Sequence, residues 1–596
     1  MNSKSPHTFH IPVMGISFTI DTPVKVACYG INSSISIIED HLIEKMRAYY
    51  YGKNNEEYHP ITKNEDNYRA KRITDYLNLV NKEIKKKIDQ VKEAAFEANS
   101  EITKYFEMLP DTASIKKKYL EFLNIDNPEA QKEIEQELRN NVKPGAIEVN
   151  IMTKVDKENV DKNGATIENG SDALQALKGY AESNLENSTI VFSAGMNPRL
   201  FNYMNNFDAF KMNTKGNFPK AVAIKVSDYR SALIQGKYLA KRGIWVSEFR
   251  IESGLNCGGH AFATQGFLLG PILEEFKQNR ESLEAELNDL YLKSFENSEE
   301  KPLTDLPKIK LTVQGGIGTH EEDVFLKEYY NVDATGWGSP FLLCPEATNV
   351  DEHTQQQLQK AKEKDIVLSH SSPLGVRFNY LKGTTAETER LQRNEDGKPG
   401  SSCPEKLLVS NTEFTDKPIC TASTKYQKLK LAQIKNSDLL PEKKTKAINE
   451  LQQKECLCTG LCNSVAKTNN FNFVKNLNTV TVCPGPNLAY FSKSYSLKTL
   501  CDHIYGKISL EEGKRPHMFI KELQLYVSHF TELLEDTNFS DRKATRNLNK
   551  FFGNLTEGIS YYKSLFNEER IKCQKFIQDL QEFELEVTNL NPKTIA

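Results

Sequence analysis

A pair of glycines followed by a histidine is the segment of this sequence best suited to chemistry. It lies in Gly254–Thr264, GLNCGGHAFAT, and closely follows a predicted strand. Adjacent glycines let the backbone approach a ligand closely. The imidazole of His260 titrates near neutral pH, as a general acid or base requires. The alternative interpretation is a tight turn followed by a surface histidine.

Two further glycine-containing segments follow later strands. They are Val313–Thr319, VQGGIGT, and Asp333–Phe341, DATGWGSPF. In a barrel of parallel strands, the loops after the seventh and eighth strands commonly bind phosphate through backbone N–H groups. The candidate phosphate-binding residues are Gly315, Gly316, Gly338 and Ser339. The alternative is that the three glycine segments are unrelated turns.

Eight short β-rich segments position these loops. The predicted strands are Ile11–Ser17, Asn32–Ile38, Ala146–Met152, Thr189–Gly195, Ala221–Ser227, Ile244–Phe249, Lys310–Ile317 and Ala334–Ser339. Helical stretches such as Ala173–Asn184 and Pro271–Phe295 separate most of them. Several strands are apolar at consecutive positions, which is typical of strands covered on both faces. This alternation predicts an α/β fold, a (β/α)8 TIM barrel, with a doubly wound open sheet as the alternative.

One crossover is much longer than a barrel requires. Residues 39–145 are rich in Lys, Glu and Leu and predict a helical insertion, with helices at Asp75–Asn99 and Asp126–Asn140. Long insertions in barrel loops often cover or shape the site. We interpret the insertion as a lid or as a contact between copies in a homo-oligomer.

The amino-acid composition and the predicted elements change after the predicted barrel. The predicted organisation is a barrel over residues 8–380, a Cys-rich extension over 381–500 and a helical C-terminal region over 501–596. Residues 383–406 predict a long loop because they contain few apolar side chains, and residues 478–483 predict an apolar strand. A buried helix face is predicted by the spacing of Phe519, Leu523, Tyr526, Val527, Phe530 and Leu533.

Composition excludes several classes of function. The chain has 596 residues, 38% of them hydrophobic, and a net charge of −3. Nucleic-acid binders usually carry a basic excess, so no nucleic-acid partner is expected. The start MNSKSPHTFH lacks the apolar segment of a secretory signal, and no apolar run approaches the ~20 residues of a membrane helix. We therefore expect a cytoplasmic protein with no membrane partner.

Six of the eleven cysteines fall between residues 403 and 483, with the spacing Cys-x16-Cys-x35-Cys-x-Cys-x3-Cys-x20-Cys. Closely spaced cysteines and Cys-Pro pairs occur where thiolates bind iron–sulfur clusters. Zinc is a second interpretation, although its usual Cys-x2-Cys pairs are missing. Buried structural thiols are the third. If four cysteines bind a metal centre, the favoured ligands are Cys403, Cys420, Cys456 and Cys458.

Taken together, these segments resemble the superfamily of nitronate monooxygenases (2-nitropropane dioxygenases) and FMN-dependent enoyl-ACP reductases. The resemblance covers roughly residues 8–40 and 146–380. The matching segments are Pro12–Gly15, Cys257–His260, Gly315–Ile317, Gly338–Phe341 and Ser372–Arg377.

The resemblance implies a bound FMN and assigns residues to it. The backbone of Met14 and Gly15 would pass the isoalloxazine ring, and Asn150 and Lys225 would reach its polar edge. The remaining residues that would line FMN are Gly258, Gly259, Gly315, Gly316, Gly338 and Ser339. The alternatives are a barrel-rim salt bridge for the lysine and a strand-end cap for the asparagine.

The sequence departs from the superfamily pattern in two places. Asn256 and Cys257 replace the usual acidic residue and alanine before Gly-Gly-His. Arg250 and Glu252 lie just upstream, and the arginine is a candidate for binding an anionic substrate. These departures put the identity of the substrate in doubt.

The resemblance implies an FMN-dependent oxidoreductase that acts on an alkyl nitronate-like or related carbanionic small molecule, with His260 as base or anchor. NAD(P)H and O2 are the candidate electron donor and acceptor. One alternative is an enoyl reductase-type enzyme with an iron–sulfur electron relay. Another is a non-catalytic FMN-binding scaffold whose helical additions are interaction surfaces.

Overall fold

A closed barrel of eight parallel strands lies at the centre of the molecule, so the predicted (β/α)8 fold is confirmed. The computed structural model describes residues 5–152, 155–160, 163–193, 195–213, 216–261, 265–296 and 306–592. The strands pair in sequence order, and β1 pairs with β8 to close the barrel. They are β1 Phe9–Ile11, β2 Asn32–Ser36, β3 Ile147–Ile151, β4 Ser188–Phe192, β5 Lys220–Val226, β6 Glu248–Glu252, β7 Lys310–Gln314 and β8 Ala334–Gly336.

Two strands begin more than one residue away from the predicted start. β1 is Phe9–Ile11 instead of Ile11–Ser17. The chain leaves the barrel there and turns at Gly15, whose φ is +56°. β6 is Glu248–Glu252 instead of Ile244–Phe249. The prediction stops before Arg250, whose charge is neutralised inside the barrel by Glu148 and Glu248.

The barrel interior contains a buried ion network. The guanidinium of Arg250 on β6 donates to both carboxylate oxygens of Glu148 on β3, at 2.7 and 2.9 Å, and to Glu248 at 2.8 Å. Burial opposes ionisation of Glu148, but the attraction of Arg250 outweighs it and lowers the pKa of Glu148 to about 2. Arg250 is therefore a structural cation inside the barrel, and the prediction that it binds an anionic substrate is wrong.

A second polar chain lies nearer the carboxyl end of the strands. The ring of His10 on β1 contacts the side-chain oxygen of Gln314 on β7 at 3.0 Å. The amide of Gln314 donates to Glu252, which pairs with Lys225 on β5 at 3.3 Å. These contacts cross four strands and fix the lysine at the end of the barrel where TIM-barrel active sites are found.

Helices surround the barrel and form the insertion. Helix α1, Thr22–Val26, precedes β2. The insertion between β2 and β3 contains α2 Asp40–Lys53, α3 Tyr68–Glu93, α4 Glu101–Glu107, α5 Ser114–Phe122 and α6 Pro128–Asn141. The crossovers from β3 to β8 contain α7 Asp172–Glu182, α8 Pro198–Tyr203, α9 Tyr229–Ala240, α10 Leu269–Lys293 and α11 His320–Tyr329.

The insertion flanks the barrel wall. Helix α3 packs along α7, and α4 packs against residues 27–29, which precede β2. The insertion also has a small core of its own, which includes Ile88, Ile102, Phe106 and Leu138. Because α3 and α4 lie beside the barrel, they do not cover the carboxyl end of the strands. The lid interpretation is not supported for these two helices.

The rest of the chain packs on the barrel as helices and one hairpin. Its elements are α12 Glu352–Lys360, β9 Ile366–Ser369, β10 Phe378–Leu381, α13 Thr385–Glu395, α14 Thr424–Lys435, α15 Pro441–Gln452, α16 Leu457–Gly460, α17 Asn463–Thr468, α18 Leu497–Ile504, α19 Met518–Asp536, α20 Arg542–Asn567 and α21 Gln574–Asn589. The predicted apolar face of α19 packs inward, and Phe519 stacks on Tyr562 with ring centres 4.6 Å apart. Hydrophobic packing runs unbroken from the barrel into α16 to α21, whereas α14 and α15 share a separate small core.

Two sequence predictions in this region are wrong. Residues 383–406 are not one long loop, because they contain α13, whose N-cap Thr384 accepts a side-chain hydrogen bond from the N–H of Glu387. Residues 478–483 are extended but form no strand, since the backbone of Val480 pairs with Ala386 and that of Val482 with Leu381. These partners lie on different elements, so no ladder forms. Among the described residues, no helix is both long and apolar enough to cross a bilayer.

Candidate active site

Loops that are far apart in sequence meet at the carboxyl end of the barrel. The thiol of Cys483 lies beside the backbone N–H groups of Gly15, after β1, and Gly259, after β6. Burial raises the pKa of Cys483 to about 12, so this thiol is neutral. The structure therefore brings the predicted Met14–Gly15 and Gly258–His260 segments together, with a cysteine from the C-terminal region between them.

Three extended segments form a small irregular sheet at this end, which we call the mouth sheet: residues 258–261, 377–379 and 483–484. Gly258 bridges to Pro484, and His260 bridges to Phe378. The N–H of Asn379 donates to the carbonyl of Gly259 at 2.9 Å. The sheet fixes the Gly-Gly-His segment to residues more than 100 positions downstream. The last residues of that motif, 262–264, lie outside the described residues.

Asn256 holds the turn that carries the histidine. Its side-chain N–H2 donates to the carbonyl of His260 at 2.5 Å, and its oxygen accepts from the N–H of Gly258 at 3.2 Å. The amide of Asn379 donates to the same oxygen at 2.8 Å. A carboxylate can accept these bonds but cannot donate one to the carbonyl. The departure from the superfamily pattern at this position therefore has a structural reason.

His260 is half-buried and contacts a serine. Its Nε2 lies 2.7 Å from the hydroxyl oxygen of Ser372, and its ring stands edge-on to Phe378, with centres 5.0 Å apart. The hydroxyl of Ser372 also accepts from the N–H of Leu374 at 3.1 Å, which holds it in place. Ser372 is thus a site residue for which the sequence predicts no role, although it lies in the matching segment Ser372–Arg377.

The glycine loops after β7 and β8 face each other across a narrow space. Gly315, with φ of +98°, leaves no room for a side chain, since a Cβ there would lie 1.8 Å from the carbonyl oxygen of Leu255. Within the described part of the chain, the N–H groups of Gly316, Ile317 and Ser339 donate no hydrogen bond. Unpaired backbone donors on glycine-rich loops are the usual binding groups for a phosphate.

Segment 485–487 of the C-terminal region closes this space from outside. The amide of Asn487 donates to the carbonyls of Gly316 and Ile317, at 2.7 and 2.8 Å. A space of only about 10 Å³ remains between the loops and the segment, far below the roughly 300–1,000 Å³ of a pocket for a whole small-molecule ligand. Gly338 also lines it, and a Cβ there would lie 2.7 Å from Cβ of Cys257. A phosphate group would enter only if segment 485–487 moved outward.

Asn150 and Lys225 lie at the ends of β3 and β5, as the resemblance implies. Asn150 is 5% exposed, and its side-chain oxygen accepts no hydrogen bond from the described residues. A buried amide without a partner is costly, and a bound polar group would satisfy it. It is therefore not the strand-end cap of the alternative interpretation. Lys225 forms the rim salt bridge with Glu252 described above.

The chemistry of these residues fits FMN. Among the described residues, the N–H groups of Gly316, Ile317 and Ser339 are unpaired where the resemblance places the phosphate, and the side-chain oxygen of Asn150 is unpaired where it places the polar edge of the ring. Lys225 supplies a cation beside it. Bound there, the phosphate would be held by the loops after β7 and β8, and the ring would lie toward Met14, Gly15 and Gly259. Residues 153–154 and 194, after β3 and β4, lie outside the described residues.

The four cysteines predicted as ligands come together, but not as a metal centre. The thiol of Cys403 lies within electrostatic reach of those of Cys420, Cys456 and Cys458. Among the described residues, no group of three or more His, Cys, Asp or Glu side chains is arranged to hold a metal ion. The iron–sulfur cluster remains a prediction that this arrangement does not support.

Solved structures similar to this chain include two enoyl reductase-type matches. FabK from Thermotoga maritima is 12% identical with a TM-score of 0.31, over 68% of this chain and 84% of that chain. The enoyl reductase domain of MlnA, from the macrolactin biosynthesis cluster of Bacillus amyloliquefaciens, is 15% identical with a TM-score of 0.33, over 68% and 89%.

A third similar structure is a nitroalkane oxidase from Streptomyces ansochromogenes, 8% identical with a TM-score of 0.34, over 85% of this chain and 97% of that chain. No family model and no curated protein matches the chain. At these low scores, a function for this chain has to rest on its own residues.

Proposed function

We propose that this protein is an FMN-dependent oxidoreductase whose site lies at the carboxyl end of the barrel. The observation that carries the proposal is that the N–H groups of Gly316, Ile317 and Ser339, on the loops after β7 and β8, donate to none of the described residues. The loops that follow these two strands are the common phosphate site of TIM barrels. Bound FMN would supply a two-electron acceptor for an oxidation or, once reduced, a donor for a reduction.

His260 is the proposed catalytic residue. Its imidazole stands at the mouth of the barrel and is held through Ser372 at Nε2 and through the mouth sheet at its backbone. With a neutral nitroalkane, His260 takes the acidic proton next to the nitro group. With an alkyl nitronate or another carbanionic substrate, the protonated imidazole holds the anion. Either role contributes typically 10²–10⁴-fold to a rate.

Lys225 and Asn150 have supporting roles in this proposal. The ammonium of Lys225 favours negative charge that develops on the ring side of the site, by direct Coulomb attraction. The side-chain amide of Asn150 is buried and fixed at the end of β3, so it orients a polar ligand edge without losing freedom of its own. Glu252, paired with Lys225, keeps the lysine in place.

The test is reconstitution of the full chain with FMN, followed by anaerobic mixing with propyl-2-nitronate and with an enoyl thioester. We expect a yellow protein that keeps FMN through gel filtration and whose visible absorption bleaches with the nitronate. His260→Gln should retain FMN and bleach at least about 100-fold more slowly. His353→Gln, on the exposed face of α12, is the matched control and should be unchanged.

The possible outcomes separate the parts of the proposal. A protein that binds no FMN overturns the proposed cofactor and with it the function. Retained FMN that only reduces an enoyl thioester, from NAD(P)H, replaces nitronate oxidation by the reductase activity. Bleaching that is equally fast in His260→Gln removes the histidine from the mechanism.

A further inference from the structure

An open cleft lies outside the barrel, between α14, α15 and residues 370–375, which follow β9 and which we call the β9 loop. Its volume is about 700 Å³, within the roughly 300–1,000 Å³ of pockets that bind small molecules. None of the described residues that line it belongs to the proposed active site. The cleft is therefore a separate cavity of the molecule.

The β9 loop is fixed in place from the cleft side. The ammonium of Lys454 donates to the carbonyl of Ser372 at 2.9 Å, and the hydroxyl of Thr421 donates to the carbonyl of Pro373 at 2.8 Å. Both donors line the cleft. On the other face of the loop, the hydroxyl of Ser372 contacts His260. The same loop thus borders the cleft and supports the histidine of the proposed active site.

A lysine without a carboxylate partner lines the cleft. Lys454 is partly buried, and it forms no ion pair with a carboxylate among the residues that the structure describes. Burial lowers the pKa of Lys454 to about 8, so the ammonium is still its main form at pH 7. Because burying a charge is costly, an anion bound beside this ammonium would stabilise it.

The other charged groups of the cleft have partners of their own. The ammonium of Lys430 donates to Glu413 at 2.7 Å. The carboxylate of Glu450 lies 3.7 Å from Nε2 of His370. Burial lowers the pKa of His370 to about 4, so its ring is neutral at pH 7. Glu450 is the one carboxylate among the described lining residues, against two lysines, so the lining favours an anion.

Apolar side chains form much of the remaining surface. Leu374, Ile434 and Leu451 line the cleft. Leu439, which also lines it, is 44% exposed, and the next residue, Leu440, is 67% exposed. Exposed leucines beside a cavity are surface that a ligand with an apolar part would remove from water.

We propose that this cleft binds a medium-chain carboxylate, with its carboxylate at Lys454 and its chain along Leu374 and Leu439. One ammonium matches the single charge of a carboxylate, whereas phosphate sites usually offer several N–H donors. The apolar chain covers the leucines at the opening. Binding involves no flavin, so this proposal and the proposed function can fail independently.

The test is isothermal titration calorimetry of the full chain with octanoate, without added FMN. We expect one site, with at least about 10-fold weaker binding of acetate, which lacks the chain, and of octanol, which lacks the charge. Lys454→Met should weaken octanoate binding at least about 10-fold, because a charge-assisted hydrogen bond is lost. Lys428→Met, exposed on α14, is the matched control and should bind octanoate as the wild type does.

A second variant separates binding from folding, because Lys454 also holds the β9 loop. Leu439 is half-exposed, so Leu439→Ser should leave the far-UV circular dichroism and the urea midpoint unchanged. It should weaken octanoate binding roughly 3–10-fold, since the chain loses an apolar contact. Leu585→Ser, on α21 and 65% exposed, is its control.

Three results would overturn the proposal. The first is no octanoate binding by the wild type at millimolar concentration. The second is octanol binding as tight as that of octanoate, because the ammonium would then play no part. The third is unchanged octanoate affinity in both Lys454→Met and Leu439→Ser, which would place the ligand elsewhere on the protein.

Discussion

Replacing Arg250 by Met tests whether this residue is a structural cation inside the barrel or a binding group for substrate. The change leaves the buried carboxylates of Glu148 and Glu248 without their partner. The pKa of Glu148 lies at about 2, against 4.5 for an ordinary glutamate. At about 1.36 kcal/mol per pKa unit, its ionised form gains about 3 kcal/mol from the network. Breaking a buried pair typically costs 3–5 kcal/mol, in agreement with this value.

Arg250→Met should therefore lower the apparent free energy of unfolding by about 3–5 kcal/mol at pH 7, measured by urea denaturation with far-UV circular dichroism. The added change Glu148→Gln should recover at least half of the loss, because one unpaired carboxylate is removed. Arg570→Met is the matched control, since that guanidinium is exposed and pairs with the exposed Glu568. Its effect should stay within about 0.5 kcal/mol.

The pH dependence of this variant gives the sharpest check. In the wild type, Glu148 has a depressed pKa, so its contribution is present above pH 4.5 and is lost as the pH falls toward 2. Without Arg250, burial raises that pKa, and the variant becomes more stable at pH 5 than at pH 7. Unchanged stability together with a raised KM for an anionic substrate would refute the reasoning and restore Arg250 as a substrate ligand.

Three further predictions concern the site and the helices behind it. Ser372→Ala should retain FMN but lower kcat about 10-fold, because Ser372 positions His260; steady-state rates and flavin content measure this. Gly338→Ala should weaken FMN retention at least about 10-fold, because its Cβ would lie 2.7 Å from Cys257; equilibrium dialysis of FMN measures this. Burial raises the pKa of Glu522 to about 7, so its contribution to stability is full below pH 4.5 and is lost as the pH rises through 7. Glu522→Gln should therefore be more stable than wild type at pH 8 by up to about 3 kcal/mol, in urea denaturation at several pH values.

The two site predictions have matched controls, and all three predictions have a contrary result. Ser528→Ala, exposed on α19, is the control for Ser372→Ala and should leave kcat unchanged. Gly553→Ala, whose Cβ would meet nothing within 4 Å, is the control for Gly338→Ala and should leave FMN retention unchanged. A Ser372→Ala enzyme with wild-type kcat would show that His260 needs no positioning from it. Full FMN affinity in Gly338→Ala would show that the FMN phosphate binds elsewhere. Parallel stability curves for wild type and Glu522→Gln between pH 5 and 8 would contradict the raised pKa.

Most strands could be predicted from the sequence, because parallel strands covered on both faces are continuous apolar runs such as Ala221–Ser227. The charged second half of β6, residues 250–252, could not be predicted in this way. The buried charge of Arg250 is stable in this strand because the carboxylate of Glu148, 102 residues earlier in the chain, neutralises it. The residues next to Arg250 in sequence cannot show that a distant carboxylate does this. α13 was missed for a related reason, since a helix with little apolar surface reads as a loop.

The candidate site also combines residues that the sequence predicts with residues that it does not. The glycine loops and His260 follow strands directly, so their common location follows from the topology of a barrel. The residues that complete the site come from elsewhere: Ser372 from the loop after β9, and Cys483 and Asn487 from a segment without regular structure. Their neighbours in sequence carry no sign of these contacts. Only the folded chain shows that they reach the barrel.

The mouth sheet has a consequence for how this protein is made in the cell. A nascent chain can pair all eight strands once Gly336 has left the ribosome, but Pro484, which pairs with Gly258, is about 150 residues further along. At about 5–20 residues per second, synthesis of that stretch takes roughly 7–30 s. During this interval the barrel would be closed but the mouth sheet incomplete. The apolar surface that the C-terminal helices later bury would be exposed. The site is thus among the last parts of the molecule to form during translation, and this window is when chaperones would be most needed.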